Sequence, residues 1–121
     1  MANHPIVHID IPTLQGKESA EFYAKTFDWN IQHAAEFNYY MFSAQGGPGG
    51  GFMQVSEDGA KVNQVVVYIG TDDIEASLAD VEANGGKVLQ PKTEITGIGW
   101  YAIFSDPTGN ALALFKDINQ H

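Results

Sequence analysis

The 121 residues suit a single domain, long enough for a proper hydrophobic core and short for two independent ones. Six basic and 15 acidic residues give a net charge of −9, and such a surface repels phosphate backbones and anionic membranes, so neither nucleic acid nor a membrane is an expected partner. There is no cysteine, which excludes a disulfide, a thiolate nucleophile or a thiolate metal site and fits a cytoplasmic location. The start lacks the basic-then-apolar pattern of a signal peptide. No apolar run approaches the roughly 20 residues that span a bilayer.

After a short polar start through His4, residues 6–12 alternate Val7, Ile9 and Ile11 with His8, Asp10 and Pro12. A period of two makes this a strand with one apolar and one polar face. A turn over residues 13–15 leads to a helix at Gly16–Phe27 that lines up Ala20, Tyr23 and Phe27. That stripe can cover the apolar strand face, which puts His8 and Asp10 on the other side. Residues 31–36 and 39–44 read as a hairpin turning near Phe37 and Asn38. The run from Gly46 to Gly51, broken only by Pro48, reads as a loop, because glycine loses much backbone entropy on ordering. It is not a phosphate-binding loop, since no Gly-Lys-Ser/Thr follows. Residues 52–55 form a fourth strand and residues 56–61 a polar linker.

The second half repeats this order. Residues 64–69 are a strand of mostly β-branched residues. Asp72, with Glu75 three residues later, reads as a helix start. Ile74, Leu78 and Val81 share a helical stripe, and Asn84-Gly85-Gly86 ends it. A short strand at residues 87–90, a loop at 91–97 and a strand at Gly99–Ser105 follow. Asp106-Pro107-Thr108-Gly109-Asn110 is a tight turn into the last strand, residues 111–116. Setting His8 against Val66, an offset of 58, matches Ile11 with Ile69, Ala20 with Leu78 and Tyr23 with Val81. The expected fold is therefore α+β: two βαβββ modules, about residues 5–56 and 63–117 of one domain. Side by side they would form a curved, half-barrel mixed sheet, with helices on the convex face and a cavity on the concave one.

This layout resembles the vicinal oxygen chelate superfamily of glyoxalases, bleomycin-resistance proteins and extradiol dioxygenases, in particular its short glyoxalase-like branch. The resemblance is carried by Val7-His8-Ile9-Asp10-Ile11-Pro12, Phe22-Tyr23, Phe27-Asp28-Trp29, Val67-Tyr68-Ile69, Asp72-Asp73-Ile74, Gly85-Gly86-Lys87-Val88, Gly99-Trp100 and the turn from Asp106 to Asn110. In the metal-dependent members, four cavity positions hold a divalent ion whose open sites bind vicinal oxygens of the substrate. Carried over, those positions fall on His8, on Val66, near Gly51 or Met53, and on Ala113. Only His8 has a donor side chain. One imidazole cannot hold a catalytic ion, so the resemblance implies no metal and no other cofactor here.

His8 reads as a general base, a hydrogen-bonding group for a ligand, or a structural histidine. Asp10 shares its face; about 7 Å along a strand separates such residues, so contact is not guaranteed. Tyr68 is equally a ligand-binding phenol or a core tyrosine. The expected ligand pocket is His8, Asp10, Met53, Val66, Tyr68, Trp100, Ala113 and Phe115, with catalytic candidates His8, Asp10 and Tyr68. Tyr39, Tyr40 and Phe42 are expected in the core, His33 on a surface hairpin and His4 and His121 near the chain ends, none of these histidines with a metal role. Three functions follow. The first is metal-independent binding of a small molecule, neutral or cationic given the acidic chain. The second is a glyoxalase-like lyase, isomerase or oxygenase using His8 and Asp10 as acid–base groups. The third is a partner-binding module without a cavity. The resemblance also implies a homodimer.

Overall fold

The computed structural model describes residues 4–36 and 38–119. The element order is β1 (Ile6–Thr13), α1 (Gly16–Phe27), β2 (Asn30–Ala34), β3 (Tyr39–Ser43), β4 (Gly49–Gln54), β5 (Val66–Gly70), α2 (Ile74–Ala83), β6 (Lys87–Ile95), β7 (Gly99–Ser105) and β8 (Ala111–Asp117). The fold is α+β, with parallel and antiparallel strand pairs. Neither helix is long and apolar enough to cross a membrane. The chain divides into two compact units, one of residues His8–Val66 and one of the residues up to Val7 with those from Val67 on.

In the first unit the strands lie in the order β2-β3-β4-β1, with β1 parallel to β4 and the other pairs antiparallel. The alternation in β1 decides which face is core. Ile9 and Ile11 pack with Ala20 and Tyr23 of α1 and with Phe42 and Phe52. Trp29 stacks on Tyr23 at 5.0 Å and on Phe42 at 4.4 Å, so the core is built largely of rings. α1 ends at Asp28, which adopts a left-handed conformation (φ 62°) and returns its N–H to the Ala24 carbonyl.

The glycine run departs from the expected loop. Gly49, Gly50 and Gly51 are part of β4, paired with His8, Ile9 and Asp10 of β1. Close packing outweighs the entropy cost of ordering them. A methyl group at residue 50 would collide with the Ile9 carbonyl and the Phe42 ring, and one at residue 51 with the Tyr39 ring. Here glycine marks places where neighbours approach the backbone.

In the second unit the order is β5-β8-β7-β6, with β5 parallel to β8 and the rest antiparallel. Ile74 and Leu78 of α2 pack on Ala102, Phe104 and Leu114, with Ile69, Val81, Val88, Trp100 and Leu112 around them. The Pro5 carbonyl accepts from the Gly70 N–H, tying the beginning of the chain into this unit.

Two expectations change here. The α2 cap is Asp73 rather than Asp72: its side chain accepts from the Ala76 N–H at 3.0 Å. Thr71 fixes that choice, because its buried hydroxyl accepts from the Asp73 N–H at 3.2 Å and meets the Ser77 hydroxyl at 2.8 Å. β6 does not stop at Gln90 but runs to Ile95 through Pro91. It is the outer strand of its unit's order and shifts register between Val88 and Gln90 and between Gln90 and Thr93, the kind of place where a strand tolerates a proline. Phe37, expected near the hairpin turn, and His121 lie outside the described residues.

Candidate functional site

The face of β1 turned away from α1 carries the polar half of its alternation. His8 and Asp10 both point there, and they touch: His8 Nε2 lies 3.0 Å from Asp10 Oδ1. Side chains two apart on a strand meet only if both lean toward each other, and Tyr39 supplies the reason. Its hydroxyl donates to Asp10 Oδ1 and lies 3.1 Å from His8 Nε2. The three groups form a closed triangle on one unit.

Each member is placed by its strand. β3 alternates, so Tyr40 and Phe42 join the core with α1 while Tyr39 and Met41 turn to the opposite face. Gly51, beside Asp10 in the β1–β4 register, leaves the space that the Tyr39 ring occupies. Asp10 is 6% exposed. A carboxylate so far from water must be hydrogen-bonded, and a phenol and an imidazole provide that.

Tyr39 was expected in the core and is instead part of this cluster. The signal was available: strand alternation cannot send adjacent Tyr39 and Tyr40 to the same side. Met53, paired with Pro12, shares the face of His8 and Asp10. His33 lies on the hairpin, stacked on Tyr40 at 4.2 Å and 3.2 Å from Asn38 Oδ1.

In the second unit, Tyr68 pairs with Ala113, and Gly70 with Phe115, on the face opposite Leu112 and Leu114. Tyr101 lies opposite Phe115 and Ile103 opposite Ala113, so both join that face. Trp100 does not. It packs with the α2 core, with Lys92 Nζ 5.3 Å and Lys116 Nζ 5.8 Å from its ring centre. Residues 100, 102 and 104 share one side, and Phe104 is core, so the aromatic on the Phe115 side is Tyr101. Val66 begins β5.

The donor set does not fit a divalent ion. Among the described residues no three His, Cys, Asp or Glu side chains gather. Of the four positions that the resemblance nominates, Val66, Ala113 and the Gly51/Met53 pair offer no imidazole or carboxylate. At Gly51 the space for a side chain is filled by the Tyr39 phenol.

Comparison with known proteins agrees with this architecture. The chain is 32% identical over 91 residues to CFP32 of Mycobacterium tuberculosis, an alignment covering 75% of this chain and 34% of that protein. It is 28% identical over 125 residues to the anthracycline biosynthesis protein DnrV of Streptomyces peucetius, covering 81% and 42%. The chain thus spans well under half the length of these curated relatives. A glyoxylase-like domain-containing protein of Didymella fabae is 30% identical over 121 residues, with 88% of each chain covered. Among solved structures, hypothetical protein BH1468 of Bacillus halodurans superposes with a TM-score of 0.77 at 12% identity over 98% of both chains. Methylmalonyl-CoA epimerase of Mycobacterium tuberculosis gives 0.73 at 11% identity, covering 93% of this chain and 87% of that one. With the family model matched across residues 5–114, the chain belongs to the glyoxalase/bleomycin resistance protein/dioxygenase superfamily.

Proposed function

We propose that this chain binds a small organic molecule, neutral or cationic, without a metal ion, at the face that carries His8, Asp10 and Tyr39. The observation behind this reading is the triangle itself: a buried carboxylate, an imidazole and a phenol held together on the sheet face opposite the helix. Polar groups gathered this way can fix a ligand's orientation. The charge of −9 disfavours an anionic ligand.

A second reading has its own support. An imidazole 3.0 Å from a carboxylate is a general-base arrangement, and the triangle would then move a proton on a bound substrate. One fold neighbour is an epimerase solved with methylmalonyl-CoA, and one relative is named for anthracycline biosynthesis. Both names involve a small organic molecule.

Thermal unfolding separates these possibilities from metal chemistry. The protein is heated with Ni²⁺, Zn²⁺ or Fe²⁺, and separately with a set of neutral and cationic aromatic compounds. Stabilisation by compounds, lost on Asp10→Ala or Tyr39→Ala, is the expected result. Stabilisation by an ion that disappears in His8→Ala would overturn metal-free binding. A compound that stabilises and is also chemically converted, with conversion lost in His8→Gln, selects the enzyme reading.

A further inference from the structure

Helix α2 ends at Asn84-Gly85, and Asn84 is the one asparagine of the chain that precedes a glycine. That dipeptide has a chemistry of its own. The backbone nitrogen of the second residue attacks the side-chain carbonyl of the first, and glycine, without a Cβ, obstructs the approach least. Here the Gly85 nitrogen would give its proton to water and bond to Asn84 Cγ, and Nδ2 would leave as ammonia. Water then opens the cyclic imide at one of its carbonyls, leaving aspartate or isoaspartate. Both residues are exposed to that water. The turn, however, holds the reacting atoms apart. Asn84 has ψ 16°, which directs the Gly85 nitrogen away from its side chain. The Gly85 N–H donates to the Glu82 carbonyl at 3.3 Å and the Gly86 N–H to the Val81 carbonyl at 2.8 Å, closing the helix around a left-handed glycine with φ 99°. Asn84 Nδ2 donates to the Asp80 carbonyl at 2.8 Å. Gly86 anchors the turn: a methyl group there would lie 2.6 Å from the Ser105 carbonyl and 2.7 Å from the Val81 side chain.

We propose that Asn84 is the site of spontaneous deamidation in this protein, and that opening of the turn from Val81 to Gly86 sets its rate. Rotation about ψ of Asn84 has to break the Gly85 and Gly86 hydrogen bonds before the nitrogen reaches Cγ. Helix ends open locally at less cost than global unfolding. Imide formation is slow beside such motion, so the rate follows the population of the open turn. The product also changes the helix. A carboxylate replaces the amide that donates to the Asp80 carbonyl. It adds negative charge at the negative end of α2, whose last turn holds no basic residue to offset it. The modified chain is therefore less stable than the original, and the change is not reversed by the loss of ammonia that made it.

The test needs no ligand. The full chain is held in mildly alkaline buffer and sampled by peptide mass spectrometry, with aspartate and isoaspartate peptides separated by chromatography. The expected result is conversion at Asn84 ahead of every other asparagine, several-fold slower than in the same chain unfolded in urea. Gly86→Ala forces the turn away from Ser105 and Val81 and should convert faster than the unmodified protein. Conversion at another asparagine first overturns the site. Equal rates in folded and unfolded protein overturn the gating, as does a folded Gly86→Ala that converts no faster. Should Gly86→Ala not fold, hydrogen exchange of the Gly86 N–H in the unmodified protein decides. Its protection should match the slowing of deamidation, since both report the same open turn. An unprotected Gly86 N–H beside slow deamidation overturns the proposal.

Discussion

Thr13 and Thr71 play the same part in the two halves of the chain, 58 residues apart. Both are buried, at 3% and 2% exposure. The Thr13 hydroxyl accepts from the Gln15 N–H at 3.0 Å and meets the Ser19 hydroxyl at 2.6 Å. The Thr71 hydroxyl accepts from the Asp73 N–H at 3.2 Å and meets the Ser77 hydroxyl at 2.8 Å. In each module a threonine at the end of a strand thus holds the first turn of the helix that covers the sheet. Thr13→Val and Thr71→Val keep the shape and remove the hydroxyl, leaving a serine and a backbone N–H short of a partner. Each is expected to cost about 1–3 kcal/mol, read as a lower urea midpoint at unchanged slope.

Gly51 and Tyr39 form a second coupled pair. A methyl group at residue 51 falls on the Tyr39 ring and hydroxyl, so Gly51→Ala must expel the phenol from Asp10. The expected loss is about 1–3 kcal/mol, the usual range for overpacking. In a Tyr39→Ala background the same change should cost less than half as much, a non-additivity that a double-mutant cycle measures. Gly50→Ala behaves differently, because its methyl meets the Ile9 carbonyl, part of the backbone, and no side-chain removal can relieve that. Equal costs for Gly51→Ala in both backgrounds would show that Tyr39 does not fill that space.

Period and turn chemistry made the larger part of the fold legible. Alternation in β1 separates Ile9 and Ile11 from His8 and Asp10, and the α1 stripe supplies the cover for the first pair. Local preference failed where tertiary contact overrides it. The glycines of β4 read as a loop because no sequence rule announces that Phe42 and Tyr39 need their side-chain space. Pro91 read as a break because the outer position of β6 is set by strand order, which one strand's residues do not encode. At the site, His8 and Asp10 were legible as a pair on one face. Tyr39 was legible only in part: alternation turns it away from Tyr40, but the β3–β4 and β1–β4 pairings that bring its hydroxyl to residue 10 are not encoded in its own strand. Trp100 was misplaced in the same way: the parity of β7 assigns it to α2 and gives the other face to Tyr101.

The turn at Asp106 carries a pH dependence whose sign can be worked out. The Asn110 side-chain amide, then the Asn110 backbone N–H, with further donation from the Gly109 and Thr108 N–H groups, hold the Asp106 carboxyl below its ordinary value of 3.8. A depressed folded-state value means that the contribution is fully present above the unfolded value and is lost as pH falls through the folded one. Asp106→Asn cannot titrate, so the stability difference between the two proteins should be constant at and above pH 5 and should shrink below pH 3.8. Urea midpoints of both proteins between pH 6 and pH 2.5 measure it. A difference that grows on acidification would reverse the assigned direction.

Trp100 and Tyr101 are adjacent in sequence and opposite in consequence. Trp100, partly buried, packs against the core cluster that contains Ile74, Leu78 and Phe104, and lies near the Lys92 and Lys116 ammonium groups. Trp100→Ala should therefore lower stability by about 2–4 kcal/mol, as truncation of a largely packed aromatic does. Lys92→Ala should cost no more than about 1 kcal/mol, the size of a cation–π contact near the surface. Tyr101 lies on the other face of β7, beside Phe115 and away from the α2 core. Tyr101→Ala leaves that core intact and should cost less stability than Trp100→Ala. Urea midpoints of the two variants, at unchanged slope, decide between the two faces. A larger loss in Tyr101→Ala than in Trp100→Ala would overturn the assignment of Trp100 to the core side of the strand.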